Sequence, residues 1–304
     1  MNMNVIEFNQ VSKSFQYHKV LSDVTFSVAQ NSVFGFLGNN GAGKSTVIKL
    51  MLGMLNPSHG EIRLFNQPVK QVLPAGFVNI GCIVDTPVLY ENLTASEFLS
   101  FSQRLKNLPR KEIERVLEVV DLSAYKKQSI SGYSLGMKQR LAIANTLLGS
   151  PKLLILDEPT NGLDPQGMQD MRELLKYLPE RAGCTVFVSS HLLSEIERIA
   201  SHIAVIHGGE IVKQDSLDNL KGTSGELRIS CLALSKANVV LSNANFHCSS
   251  DQDGDLLVSK VTREECAQVH HLLSKNKVDF WQSSFCQQSL ENVFMKVSHQ
   301  KAAS

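Results

Sequence analysis

Gly38-Asn39-Asn40-Gly41-Ala42-Gly43-Lys44-Ser45 constrains this chain more than any other stretch, because two different periodicities meet on it. Before it, residues 33–37 are a continuous apolar run of strand type. After it, Val47, Ile48, Met51, Leu52 and Leu55 recur at helical spacing until Asn56-Pro57 stops the pattern. Strand, glycine loop and helix are the context in which the spacing G-x-x-x-x-G-K-[ST] cradles a phosphate. Glycine lets successive backbone N–H groups face phosphate oxygens at a helix N-terminus, where the helix dipole also favours an anion. The spacing predicts that Gly38, Asn39, Asn40, Gly41, Ala42, Gly43, Lys44, Ser45 and Thr46 hold ATP. Lys44 would reach the β and γ phosphates and Ser45 would offer its hydroxyl to Mg²⁺.

A second motif agrees with the first. Leu153-Leu154-Ile155-Leu156 runs into Asp157-Glu158, an apolar strand that ends in adjacent carboxylates. Alone, this is equally a buried strand meeting solvent. Beside a phosphate loop it reads as the second magnesium motif, with Asp157 holding Mg²⁺ through water and Glu158 orienting or deprotonating the attacking water.

At 304 residues the chain is long enough for two compact units. Strand signals at 5–8, 24–28, 33–37 and 79–84 come first. A mostly helical stretch follows over 86–149, opened by a capping box from Thr94 to Glu97. Strand signals return at 153–156, 185–189, 202–206 and 210–212, alternating with helical patterns after Pro165 and over 192–199. Such alternation predicts a largely parallel α/β sheet. Past about residue 219 the order is strand (226–230), helix, strand (245–248), a turn at Asp253-Gly254, strand (255–259), helix (263–274) and strand (278–282). That order suits a small ferredoxin-like α+β unit. The expected organisation is a core from 1–84 and 150–220, a helical subdomain at 85–149 and an accessory domain at 221–304.

Hydrophobic residues make up 43% and charged residues 19%, and the net charge is +1, which argues against a surface that coats nucleic acid. The six cysteines are scattered without a C-x-x-C pair, so reduced thiols in a reducing compartment are expected. No basic segment leads into an apolar one at the N-terminus, and the longest uncharged apolar stretch, 72–84, is too short to span a bilayer. If membranes matter, another chain supplies the span.

Between the two nucleotide motifs lies Ser134-Leu135-Gly136-Met137-Lys138-Gln139-Arg140. After them come Asn161-Gly162-Leu163-Asp164 and, behind a strand at 185–189, His191. In this order the sequence resembles the ATP-binding cassette (ABC) family over most of residues 3–215. The resemblance implies a P-loop, RecA-like α/β core with a helical signature subdomain, and a small C-terminal α+β unit beside it. It implies an ATPase that works with a membrane permease chain and a second ATP-binding subunit, as a homodimer or heterodimer. The location it implies is cytoplasmic, peripheral on the inner face of the cell membrane. It also implies that Ser134 and Gly136 contact the γ-phosphate held by the opposite subunit, that His191 hydrogen-bonds the γ-phosphate and braces Glu158, and that Asp164 links the two sites. Phe15 would stack on adenine, with Tyr17 as the rival.

Two departures narrow the resemblance. Leu135 replaces a second glycine of the signature, and Asp85 stands where glutamine is usual. Both resemble the exporter branch that includes bacitracin-resistance and lantibiotic-immunity ATPases, as does Ser289-Leu290-Glu291-Asn292-Val293-Phe294. A peptide antibiotic or another amphipathic compound is the implied cargo. Aspartate is shorter than glutamine, so Asp85 would reach Mg²⁺ through water. Cassette ATPases that act on DNA or ribosomes are the first rival; they generally carry two cassettes or a basic arm, whereas this chain has a single phosphate loop. A regulatory nucleotide-binding module is the second, and the presence of both Glu158 and His191 argues against it.

Overall fold

The computed structural model describes residues 3–16, 18–85, 87–221, 224–251 and 254–287, and the chain divides into two compact units, Met1–Ser216 and Leu217–Ser304. Tyr17, Asp253 and the 289–294 motif lie outside the described residues.

In the first unit β1 (Asn4–Phe15) pairs antiparallel with β2 (His18–Ala29), and β3 (Val33–Leu37) leaves for a different sheet. The reason is patterning. All five residues of β3 are buried, as a strand covered on both faces requires, whereas β1 and β2 mix buried and exposed positions. Helix α1 (Lys44–Met51) follows, then β4 (His59–Leu64) and β5 (Gln67–Pro68), which complete an antiparallel sheet in the order β2-β1-β4-β5. The largely parallel sheet anticipated from alternation is therefore joined by a second, antiparallel one, which takes in the expected strands at 5–8 and 24–28. Helix α1 stops at Met51, short of Leu55, because the chain turns through Gly53 at φ 66°.

The short helix α2 (Val69–Val72) leads to β6 (Ile80–Ile83). Three helices then fill the anticipated helical stretch: α3 (Ala95–Leu105), α4 (Lys111–Val119) and α5 (Leu135–Leu147). The capping box is present, with Glu97 N–H donating to Thr94 Oγ1 at 3.3 Å and Thr94 N–H donating to Glu97 Oε2 at 2.8 Å. Then come β7 (Leu153–Asp157), α6 (Pro165–Ala182), β8 (Thr185–Ser190), α7 (Leu193–Ile196), β9 (His202–His207) and β10 (Glu210–Ser216). The pattern over 192–199 thus yields a single helical turn rather than a full helix.

The larger sheet runs β10-β9-β3-β8-β7-β6; every pair from β9 to β6 is parallel, and β10 closes the edge antiparallel. Aromatic rings join the two sheets. Phe8 stacks on Phe26 at 4.5 Å between centroids, Phe26 lies 5.3 Å from Phe36, and Phe36 lies 5.4 Å from Phe187. The pairing puts the C-terminal ends of β3, β7 and β8 side by side, the edge where α/β folds bind ligands.

The second unit opens with α8 (Leu217–Lys221) and continues as β11 (Gly225–Cys231), α9 (Leu234–Asn243), β12 (His247–Ser250), β13 (Leu256–Val261), α10 (Arg263–Lys275) and β14 (Phe280–Gln287). Its antiparallel sheet has the order β12-β13-β11-β14, the ferredoxin-like arrangement. Leu227, Ile229, Leu256 and Val258 pack with Leu241, Val269 and Leu273 in a core of its own.

Candidate functional site

The loop after β3 closes on itself before entering α1. Ala42 N–H donates to Asn39 O at 3.1 Å, and Gly38 N–H donates to Ser190 O at the end of β8 at 3.3 Å. Gly43 adopts φ 110°, where a side chain would be strained, and a Cβ there would stand 2.6 Å from Leu21 Cδ2. Glycine is thus required by the backbone and by β2 packed against it. The bend leaves the first N–H groups of α1 open to an anion, and no acidic residue sits in its first turn.

Lys44 is buried, 7% exposed, yet its ammonium is not stranded. Nζ donates to Gly38 O at 2.7 Å and lies 3.3 Å from Glu158 Oε1. The other oxygen of that carboxylate, Oε2, is 2.7 Å from His191 Nδ1. Glu158 is therefore held between the loop cation and the histidine that follows β8. Its backbone has φ 49°, sparsely populated for a residue with a side chain, and its N–H reaches both Ser189 O and Ser189 Oγ at 3.2 Å. The Ser189 hydroxyl also donates to Asp157 Oδ1. By sequence pattern Ser189 is one more residue of a strand; its place directly before Ser190-His191 is the only signal of a further role.

A cavity of about 1020 Å³ opens over this centre. Gly41, Lys44, Ser45, Thr46, Asp85, Asp157 and Glu158 are among the residues that line it. Asp85 follows β6 at φ 66° and is exposed. The signature residues stand at the start of α5. Ser134 caps α5 by accepting from Met137 N–H at 3.2 Å, and a Cβ on Gly136 would lie 3.7 Å from Gly167 Cα in the first turn of α6. Asp164 caps α6 by accepting from Gly167 N–H at 2.9 Å. Gly136 and Asp164 thus meet at Gly167, and Leu135, Lys138 and Gln139 of the same signature stretch line the cavity. Phe15 is 42% exposed at the end of β1, with Lys13 Nζ 4.9 Å from its ring centroid, and it also lies outside that lining.

The family model for the ABC transporter matches residues 21–161, the span from β2 to just past Glu158. A bacitracin transport ATP-binding protein, BcrA of Bacillus licheniformis, is 36% identical over 297 residues, which cover 96% of this chain and 97% of that protein. The chain belongs to the ABC transporter family. The lantibiotic transport ATP-binding protein SrtF of Streptococcus pyogenes is 36% identical over 214 residues, 70% of this chain and 92% of that one. Among solved structures, an ATP-binding subunit of an ABC transporter superposes with a TM-score of 0.61 at 31% identity, over 71% of this chain and 92% of that chain. The cbiO1 protein of Clostridium perfringens, part of the ABC transporter complex cbiONQ, gives 0.66 at 25% identity, over 80% and 97%.

As an ATP-binding subunit of an ABC transporter, the protein binds ATP and hydrolyses it to power transport, in company with membrane permease components. Among the described residues no helix is long and apolar enough to cross a membrane. The donor set of this ABC ATPase fits Mg²⁺: the Ser45 hydroxyl and the Asp157 carboxylate are hard oxygen ligands facing one cavity. Nucleotide oxygens and water would complete the coordination, as is usual for this ion.

Proposed function

We propose that this ABC ATPase powers export of a peptide antibiotic or similar amphipathic compound, docked on the cytoplasmic face of a separate permease and paired with a second ATP-binding subunit. The observation that carries the chemical part is the Glu158 carboxylate, poised between Lys44 Nζ at 3.3 Å and His191 Nδ1 at 2.7 Å above the phosphate loop. Lys44 and the N–H groups at the start of α1 bind the β and γ phosphates. Glu158 takes a proton from, or orients, the water that attacks the γ-phosphate, and His191 fixes the rotamer of that carboxylate. Ser45 directly, and Asp157 and Asp85 through water, would hold Mg²⁺, which would supply neutralisation of phosphate charge.

Ser134 and Gly136 open α5 beside the Asp164 start of α6. That placement supports a site completed in trans, with the signature end of one subunit offered to the nucleotide of the other. Phe15, exposed on β1, is the residue we assign to the adenine. The cargo rests on likeness to BcrA and SrtF, whose names specify bacitracin and lantibiotic transport.

The test is isolation of the chain from detergent-solubilised membranes, followed by ATPase assays on the complex in liposomes with bacitracin and a lantibiotic as candidate cargoes. Co-purification of a permease and stimulation by either peptide are expected. Recovery with ribosomes or nucleoid, and never with membranes, overturns the proposal.

A further inference from the structure

Arg172 on α6 and Glu195 on α7 form an ion pair that ATP chemistry leaves unused. Nη1 to Oε1 is 2.7 Å, and the two side chains are 17% and 11% exposed. Glu195 Oε2 is buried and has no hydrogen-bond partner among the described residues. A half-satisfied buried carboxylate is a poor source of stability, since both charges lose hydration and apolar side chains of similar volume often serve as well or better. A paired charge can instead fix the relative placement of the elements that carry it.

Those elements flank the catalytic centre. Helix α6 starts at the Asp164 cap, and α7 begins directly after His191-Leu192. A helix of one turn has no stability of its own and takes its place from what it touches. Ile196 anchors one side of it: its Cγ2 lies so close over β3 that a Cβ on Gly35 would stand 2.1 Å away. Glu195 anchors the other. Before His191, Ser190 is 2% exposed and its hydroxyl accepts from Leu192 N–H at 3.0 Å. His191 is thus suspended between a buried serine and a turn pinned to α6.

We propose that Arg172 and Glu195 are positioning residues, whose ion pair holds His191 at its hydrogen-bonding distance from Glu158 and ties it to the Asp164 end of α6. Contact of a second subunit with Asp164 is then felt at His191 through one rigid helix. This rests on the roles given above to His191 and Asp164.

In the transporter complex purified from membranes, Glu195→Gln and Arg172→Met should each lower kcat for ATP roughly tenfold or more. KM should stay within about twofold, because ground-state binding is untouched. The double variant Arg172→Met/Glu195→Leu should keep the thermal midpoint at or above that of the unaltered protein while kcat stays low. In ¹⁵N spectra of the chain, each variant should lose the hydrogen-bonded Nδ1 signal of His191. A double variant with unaltered kcat overturns the inference, as does a kcat loss that follows the thermal midpoint. His191→Ala separates the two levels. If it leaves kcat unchanged, the role of His191 itself fails and the pair falls with it. If it abolishes turnover while the Arg172 and Glu195 variants remain fully active, only the ion-pair inference fails.

Discussion

Lys44 Nζ lies 3.3 Å from Glu158 Oε1, so the cation that would grip phosphate and the carboxylate that would activate water are direct partners. The pair is largely shielded, with side-chain exposures of 8% and 20%, and the Gly38 carbonyl and His191 satisfy the remaining polarity on either side. An entering γ-phosphate would compete with Glu158 for the same ammonium, so that binding of substrate would release the base.

Lys44→Ala removes both functions. ATPase activity should fall by a factor on the order of 10²–10³, the usual loss when one preorganised positive donor is taken from a developing charge. Steady-state phosphate release from the purified variant checks this, and turnover close to that of the unaltered protein refutes the site.

Glu158→Gln keeps the shape and loses the base. Hydrolysis should drop roughly 10²–10⁴-fold while ATP still binds, so a closed dimer should accumulate. Size-exclusion chromatography with ATP and Mg²⁺ reads it. A variant that binds ATP, stays monomeric and hydrolyses at the normal rate contradicts completion in trans.

Asp85 lines the nucleotide cavity at the exit of β6, just before the helices α3 to α5. Asp85→Ala should leave ATP binding largely intact, lower hydrolysis partially and lower transport by a larger factor, because the link between the cation and the helical stretch is lost. Its carboxylate favours a nearby cation, so the apparent Mg²⁺ requirement should rise in the variant. ATPase and export measured in one reconstituted complex separate the outcomes; unchanged values for both would make Asp85 an ordinary solvated carboxylate.

Gly43→Ala places a methyl group 2.6 Å from Leu21 Cδ2 at φ 110°. The backbone strain alone is roughly 1–2 kcal/mol, and relief would move the loop. A lower melting temperature together with weaker ATP binding is expected by calorimetry; a fall in neither would mean that the loop yields freely.

Burial pushes the Cys184 thiol up to about 11 from 9.0. The unfolded thiol ionises first, so stability is unaffected below pH 9.0 and is lost as pH climbs from 9.0 to about 11. The loss over that window is up to roughly 2–3 kcal/mol. Urea unfolding of the protein and of Cys184→Ala across the same pH range isolates the contribution of this thiol; parallel curves would exclude it.

What the sequence determined by itself is what local spacing encodes. The run from Gly38 to Ser45 specifies a backbone bend, the Thr94–Glu97 pair specifies a helix start, and the alternation of strand and helix signals specifies an α/β core. The order of motifs pointed to the ABC family because each motif is contiguous in the chain. Tertiary structure decided the rest. That β3 lies between β8 and β9, with β7 beside β8, is not written in any periodicity, because parallel strands pair at long range and buried runs look alike. That arrangement alone brings Glu158 between Lys44 and His191, and sets the Ser189 hydroxyl on Asp157. It also pins Glu195 to Arg172 across two helices whose sequences carry no sign of each other. Side chains far apart in sequence meet only where strand order places their backbones.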